Sequence, residues 1–414
     1  MLRRLLLPIH SRVVFQCSLR SSFSDALKRY NEGKVNHSFG VWGAGDNKFN
    51  QICVPAEESV LPFPVQDLDK NDNIVQVHTC HTHSLGVTEN GKLWIWGSSR
   101  FPGVVLNDGE SKPVSPAVFA EEKIIHVQAG REFNVLVAED KQGLQKVYTC
   151  GSHELGQCGI GGKTGAGCHV SFPHTVGTFH ASNDNYVTQI AAGFEHCLAL
   201  TSNGEVFSWG NGVEGQLGHG DPDERAIPKR IEGLPPDIMS IAAGVDTSAA
   251  ITLNGELYLW GSNEYQQLGV GSKEEVEIIP KQVKALEGVR IKSVHLGGMH
   301  TIAMDKEQNI YGWGCNISGQ LGLNQQTEFP SPQLIPSLQD KKISQISCSL
   351  YHTACVSDLG VAYTFGQGQE GQLGHEEKGD EYLPRSVDML KGKFVKSVAC
   401  GMHHTLFLVE KTAT

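Results

Sequence analysis

Residues 191–218 read AAGFEHCLALTSNGEVFSWGNGVEGQLG. At the centre, LALTSNGEVFSW alternates apolar and polar residues on both sides of Ser202-Asn203-Gly204, the pattern of two strands joined by a tight turn. Asn-Gly suits a type I′ turn, in which both central residues need positive φ. Gly193 allows a tight entry into the first strand, and the Gly-Gln-Leu-Gly at 215–218 turns the chain outward again. One such hairpin cannot bury its apolar face alone, so the rest of the chain must supply neighbours.

It supplies them by repetition. The closing half returns as WGCNISGQLG (313–322) and FGQGQEGQLG (365–374), and in altered form as WGSNEYQQLG (260–269) and CGSHELGQCG (150–159). Weaker copies begin at WGAGDN (42–47) and WGSSRF (96–101), where GQLG reads as lost. The residue before the first glycine stands at 42, 96, 150, 209, 260, 313 and 365, in steps of 51 to 59. About fifty residues hold a four-stranded blade, and radial repetition of blades makes a β-propeller. The opening half, A-G-x-x-H with some letters changed, also occurs seven times, the first at 79–83 and the last at 400–404. Phe133 and Thr247 stand where the other copies have histidine. The first W-G half has no A-G-x-x-H before it, and the last A-G-x-x-H has no W-G after it. Joined, HTLFLV (404–409) and SFGVWG (38–43) complete one blade. The chain is therefore expected to be an all-β, seven-bladed β-propeller of four-stranded blades over residues 36–410, its ring closed by a blade shared between the termini.

Composition agrees with this and narrows the function. Forty-seven of 414 residues are glycine and only 19% are charged, which suits a turn-rich β protein. Residues 1–30 carry six basic side chains and one acid, with arginines spread among leucines and serines, the pattern of a mitochondrial transit peptide. A location in the matrix, or on the matrix side of the inner membrane, is expected. The remaining residues hold 28 basic and 44 acidic side chains, a net of −16. Such a body repels phosphate backbones and suits a basic protein partner. No apolar run reaches the ~18 residues of a membrane-spanning helix. The eleven cysteines include no C-x-x-C, so they read as small buried thiols and neither a disulfide framework nor a zinc site.

One stretch imitates a phosphate loop. GIGGKTGAG (159–167) sets Lys163 beside Thr164, but the phosphate-loop spacing requires glycine at 157, which is Gln157. It reads instead as an enlarged, exposed connection in the longest copy. The recurring histidines His83, His196, His300, His352 and His404 are expected to bond backbone within their own blades, with Ser84, Thr301, Thr353 and Thr405 beside them in support. Trp42, Trp96, Trp209, Trp260 and Trp313 share one repeat slot and read as core.

These motifs resemble the regulator of chromosome condensation repeat family, over nearly the whole chain beyond the leader. WD40 propellers need a shorter period and a Trp-Asp pair; kelch propellers carry a Gly-Gly doublet that only one copy has. The resemblance implies a seven-bladed propeller that regulates or scaffolds, without cofactor, metal or covalent chemistry, and it is expected to be monomeric. In the family's founding member, a nuclear exchange factor for a small GTPase, residues at one mouth of the ring and a projecting loop displace nucleotide. The matching positions here are the two residues between glycine and histidine in each copy. His81, Arg131, Glu132, Glu195, Asp246, Tyr351 and His403 are the candidate partner-binding residues, with Lys163 of the glycine-rich loop. Three successive copies present Glu132, Glu195 and Asp246, which favours a basic protein partner. Mitochondrial relatives are linked with a GTPase and with ribosome or RNA maturation, so exchange on a mitochondrial GTPase and scaffolding in ribosome or RNA maturation are the two expectations. A plant ultraviolet photoreceptor of the family uses clustered tryptophans; here only Trp94 lies outside the repeat slot.

Overall fold

The computed structural model describes residues 40–410, apart from 55–57, 66–67, 69–71, 98–118, 120 and 180–184. The leader at 1–30 lies outside the described residues. Seven antiparallel sheets follow one another along the chain. Blade 4 shows the plan: Val187–Ala192 innermost, then His196–Thr201, Val206–Gly210 and Arg225–Arg230 outermost. Blade 2 runs from Ile74–Thr79 to Leu93–Gly97, blade 3 from Lys123–Ala129 to His169–Thr175, and blade 5 from Ile238–Ala243 to Val276–Gln282. Blade 6 runs from Ile291–Leu296 to Glu328–Leu334, and blade 7 from Ile343–Cys348 to Glu381–Ser386. Blade 2 has three described strands; residues 98–118, where the repeat places its fourth, are outside the description.

Blade 1 is the shared one. Its order is Glu58–Pro64, Val41–Asp46, His404–Val409, Val395–Cys400, so the N-terminal region gives the two outer strands and the C-terminal region the two inner ones. Trp42 faces Phe407 and Gly45 faces His404 across the join.

The apolar core lies between blades. Trp260 of blade 5 packs with Leu198 and Leu200 of blade 4, and Trp313 of blade 6 with Ile251 and Leu259 of blade 5. Four of the five repeat tryptophans are at most 1% exposed; Trp42 is only partly buried, under the Lys393 ammonium. A ring built this way is stabilised at its seams.

The histidines correct the sequence reading: each bonds across a seam. His196 Nε2 lies 2.9 Å from Ser248 Oγ, His300 Nε2 2.9 Å from Thr353 Oγ1, and His352 Nε2 2.8 Å from Thr405 Oγ1, always in the next blade. His83 Nε2 reaches Asn134 Oδ1 at 2.8 Å, and His404 closes the ring on Thr79. Each hydroxyl spends its proton on a glutamine carbonyl of the preceding blade: Ser248 on Gln216, Thr353 on Gln320, Thr405 on Gln372. The imidazole must therefore donate from Nε2. Trp209 and Trp260 donate their Nε1–H to the matching carbonyls of Gln157 and Gln216. The glutamine of GQLG is thus the fixed point of the seam.

Gln51 plays that part in blade 1. Ser84 and Trp96 both donate to its carbonyl, at 2.7 and 2.9 Å. GQLG is not lost there; it is spelled Asn50-Gln51-Ile52-Cys53, with Asn50 and Cys53 at φ 58° and 48° where most other copies use glycine. The hairpin turn also differs from a type I′. Among its central residues only Gly204 has positive φ, at 79°, and Thr201 N donates to Glu205 O. This longer turn leaves Ser202 N free to donate to Tyr186 O of the strand's neighbouring connection.

Two seams lack the imidazole, for different reasons. Phe133 meets Cys197, so donor and acceptor are both replaced by apolar groups that pack in one cluster. Thr247 instead leaves its own hydroxyl buried without a partner, while Thr301 still stands ready across the seam. Gly244 leaves the space that Gly193 leaves for His196, where a Cβ would lie 2.2 Å from the ring. Thr247→His should therefore raise stability by about 1 kcal/mol, whereas Phe133→His, which buries an unpaired imidazole, should lower it by about 2 kcal/mol. Urea unfolding of the two variants measures both; equal effects would refute the seam assignment.

Candidate functional site

One repeated contact sets the shape of the ring's mouth. In six blades the strand carrying W-G ends under the turn between the two inner strands, as where Asn211 N donates to Glu195 O, Ser262 N to Asp246 O and Ser152 N to Glu132 O. The glycine makes the approach possible. Gly210 has φ 103°, and a Cβ on it would lie 2.4 Å from Glu195 O. The G-x-x-H turns and the GQLG loops consequently share one face.

On that face Phe194, Val245, Leu350 and Met402, the first variable residues of four turns, line the channel, and their second residues Glu195, Asp246, Tyr351 and His403 do not. The channel, of about 480 Å³, is bounded by all seven inner strands and has no Asp, Glu, Lys or Arg in its wall. Val245 and Leu350 close over Gly298, where a Cβ would meet them at 3.1 and 2.0 Å. The mouth has an apolar floor.

Five blades bring six of the eight candidate residues into one arc. Burial first, then the Arg131 guanidinium and the His403 ring, hold His81 below the usual imidazole range, and burial lowers His403 as well. Arg131 Nη1 pairs with Glu195 Oε1 at 3.4 Å, and Glu132 is exposed beside it. Glu195 Oε2 also accepts from Asn211 at 3.2 Å. Asp246 completes the arc: burial first, then the Glu214 and Glu195 carboxylates, push its carboxyl up to about 7 against the pull of Gln216, whose amide donates at 3.2 Å. Tyr351 sits on blade 7, partly buried and outside the arc. Glu214 was missed in the sequence, although its place two residues before the GQLG glutamine puts it on this face. Val213 and Ile317, 61% and 58% exposed on the same loops, were missed too.

Lys163 stands apart, exposed on the outer rim. The glycine-rich loop is strapped over the next blade, Gly161 N donating to Ala226 O and Thr164 Oγ1 to Glu224 Oε1, each at 2.7 Å. It does cradle an anion, its own: Gly167 N donates to Glu154 Oε1 at 2.6 Å.

Buried histidines at the seams have no part in such a site. Burial holds His196, His300 and His352 down to about 3, so they stay neutral. Among the described residues no group of three His, Cys, Asp or Glu is placed to hold a metal ion.

Fold and mouth together define a seven-bladed propeller with an acidic, apolar-floored face. The RCC1-like domain model matches residues 36–407, and the chain belongs to that family. It is 36% identical over 232 residues to the ultraviolet-B receptor UVR8 of Arabidopsis thaliana, covering 55% of this chain and 52% of that one. It is 35% identical over 376 residues to the E3 ubiquitin-protein ligase HERC2 of Homo sapiens, covering 88% of this chain but 8% of the relative. The chain thus spans about half or less of these relatives' length. Among solved structures, human WBSCR16 superposes with a TM-score of 0.78 at 22% identity, covering 90% of this chain and 99% of the other. Prp20p from Saccharomyces cerevisiae gives 0.78 at 20% identity, covering 92% and 93%. At these identities the likeness speaks for the fold.

Proposed function

We propose that this propeller is a mitochondrial protein-binding regulator whose mouth takes a basic partner, and that the partner is a GTPase whose nucleotide exchange it promotes. The observation that carries the reading is the arc Glu132, Glu195, Asp246 with Glu214, set around an apolar floor. Charged rims around apolar centres steer and orient protein partners. The structure of Prp20p was described together with its binding to Gsp1p and histones, which supports a protein partner of this kind. The leader's arginines support the mitochondrial location. Attachment to ribosome or RNA maturation would run through proteins, since the acidic body repels nucleic acid.

Release of fluorescent GDP from mitochondrial GTPases tests this. The wild type should accelerate release, and Glu132→Lys with Glu195→Lys should slow it tenfold or more, in the manner of lost electrostatic steering. No acceleration at saturating protein removes the exchange reading and leaves a scaffold, whose partner affinity purification from mitochondria would then identify.

A further inference from the structure

The face opposite the mouth carries a local departure from the repeat. At the hairpin tips of blades 2, 4 and 5 the residue before glycine is Asn90, Asn203 and Asn254; in blade 7 it is Leu359, 81% exposed. The residue after that glycine is Lys92, Glu205 or Glu256 in those three blades and Val361 here, 38% exposed; in blade 3 it is also apolar, Leu144. Just before the inner strand stand Asn73, Asp237, Arg290 and Lys342 in blades 2, 5, 6 and 7, and Phe394 in blade 1, 43% exposed; only Tyr186 of blade 4 is also aromatic. Leu359 and Val361 flank Gly360, and Phe394 meets that glycine. Phe394 packs on Gly360, where a Cβ would lie 2.5 Å from its ring, and Val395 N donates to Gly360 O. Blade 3 has one exposed apolar residue at these positions and blade 4 one aromatic, whereas here three fall on either side of one contact, and exposed apolar surface gathered in this way marks an interaction site.

Its rim is rich in lysine. Lys342, Lys391 and Lys393 are exposed around it, with Lys342 O accepting from Asp358 N at the hairpin tip. Lys396 pairs with Glu410 at 3.5 Å, and the other nearby acids are Asp358 and Asp388. On a body of net charge −16 this is a local reversal of sign.

We propose that this end of the propeller docks on an anionic membrane surface. Leu359 and Phe394 enter the headgroup boundary, and Lys342, Lys391 and Lys393 meet lipid phosphates. Shallow apolar insertion and a few lysines are each weak alone and bind stably only in combination. The mouth then faces away from the membrane, free to meet its partner.

Sedimentation of the full chain with vesicles of phosphatidylcholine alone, or with phosphatidylserine added, tests the proposal. The wild type should bind the mixed vesicles and not the neutral ones. Leu359→Asn with Phe394→Asn gives these positions the residue that other blades carry, so folding should hold by circular dichroism; binding should fall about tenfold. Lys391→Glu with Lys393→Glu should fall similarly and serves if the first variant melts early. Residues 1–30 are kept in every variant, so that their charge contributes equally and only the difference between variants is read. Wild-type absence from the mixed vesicles, or variants that bind as well as the wild type, would overturn the proposal.

Discussion

Deleting residues 398–414 should unfold the whole ring. The deletion takes His404–Val409, every residue of which is buried, and half of Val395–Cys400. Val41–Asp46 would lose the partner it meets from Val41–Leu408 to Gly45–His404 and become a bare sheet edge. Two seams fail at once: His352 and the Gln372 carbonyl lose Thr405, and Thr79 loses His404. Phe407 and Leu406, both 0% exposed, leave the core. A single lost side chain of that kind costs about 3 kcal/mol, and a domain's whole margin is about 5–15 kcal/mol. The truncated chain should therefore show no cooperative melt and should aggregate through its open edge. Deleting residues 1–30 removes nothing from any blade and should keep the melt while abolishing mitochondrial import. A monomeric truncated protein melting like the wild type would mean that the other six blades stand without the seventh.

The sequence made the ring and its closure readable because both depend on counting. Seven W-G and seven A-G-x-x-H halves out of step by one are explained most simply by a shared blade, and β-strands from both termini do share one. Counting does not say which blade a side chain faces. His196 lies in the same copy as Ser208 and Trp209, yet its partner is Ser248, 52 residues on, because a strand packed on both faces offers the neighbouring blade as readily as its own. The spelling of the GQLG turn was hidden for a similar reason: backbone conformation is what repeats, and Asn50 and Cys53 adopt it without being glycine. At the mouth, the outward residues were legible from their place in the turn. The pairing of Arg131 with Glu195 and the pressure of Glu214 on Asp246 were not, since both join residues of different loops. The lysine-rimmed cluster at the other end was invisible for the opposite cause, being written in the residues that break the repeat.

The buried seam histidines make one further outcome large: the propeller should be acid-labile in a window set by imidazole and not by carboxylate. In the folded ring His196, His300 and His352 are held down to about 3, and His404 is also well depressed, all by burial first. In the unfolded chain each returns to an ordinary value of about 6.5. The unfolded state therefore binds protons that the folded state refuses, and stability must fall as pH drops below that value and stay level above it. By pH 5 each histidine contributes a loss of about 2 kcal/mol, so that the three together remove about 6 kcal/mol, as much as many domains possess. Asp246 acts the other way, since its folded carboxyl at about 7 takes up a proton early, but it is one group against several. Urea midpoints measured between pH 5 and 7.5 should decline steeply on the acid side, before most carboxylates titrate. Replacing His300 by Gln keeps a donor toward Thr353 and removes one titrating group, so its decline should be shallower by about one proton even though its stability at pH 7.5 is lower. A midpoint that stays constant down to pH 5 would show that these imidazoles are not held neutral, and the seam network would have to be redrawn.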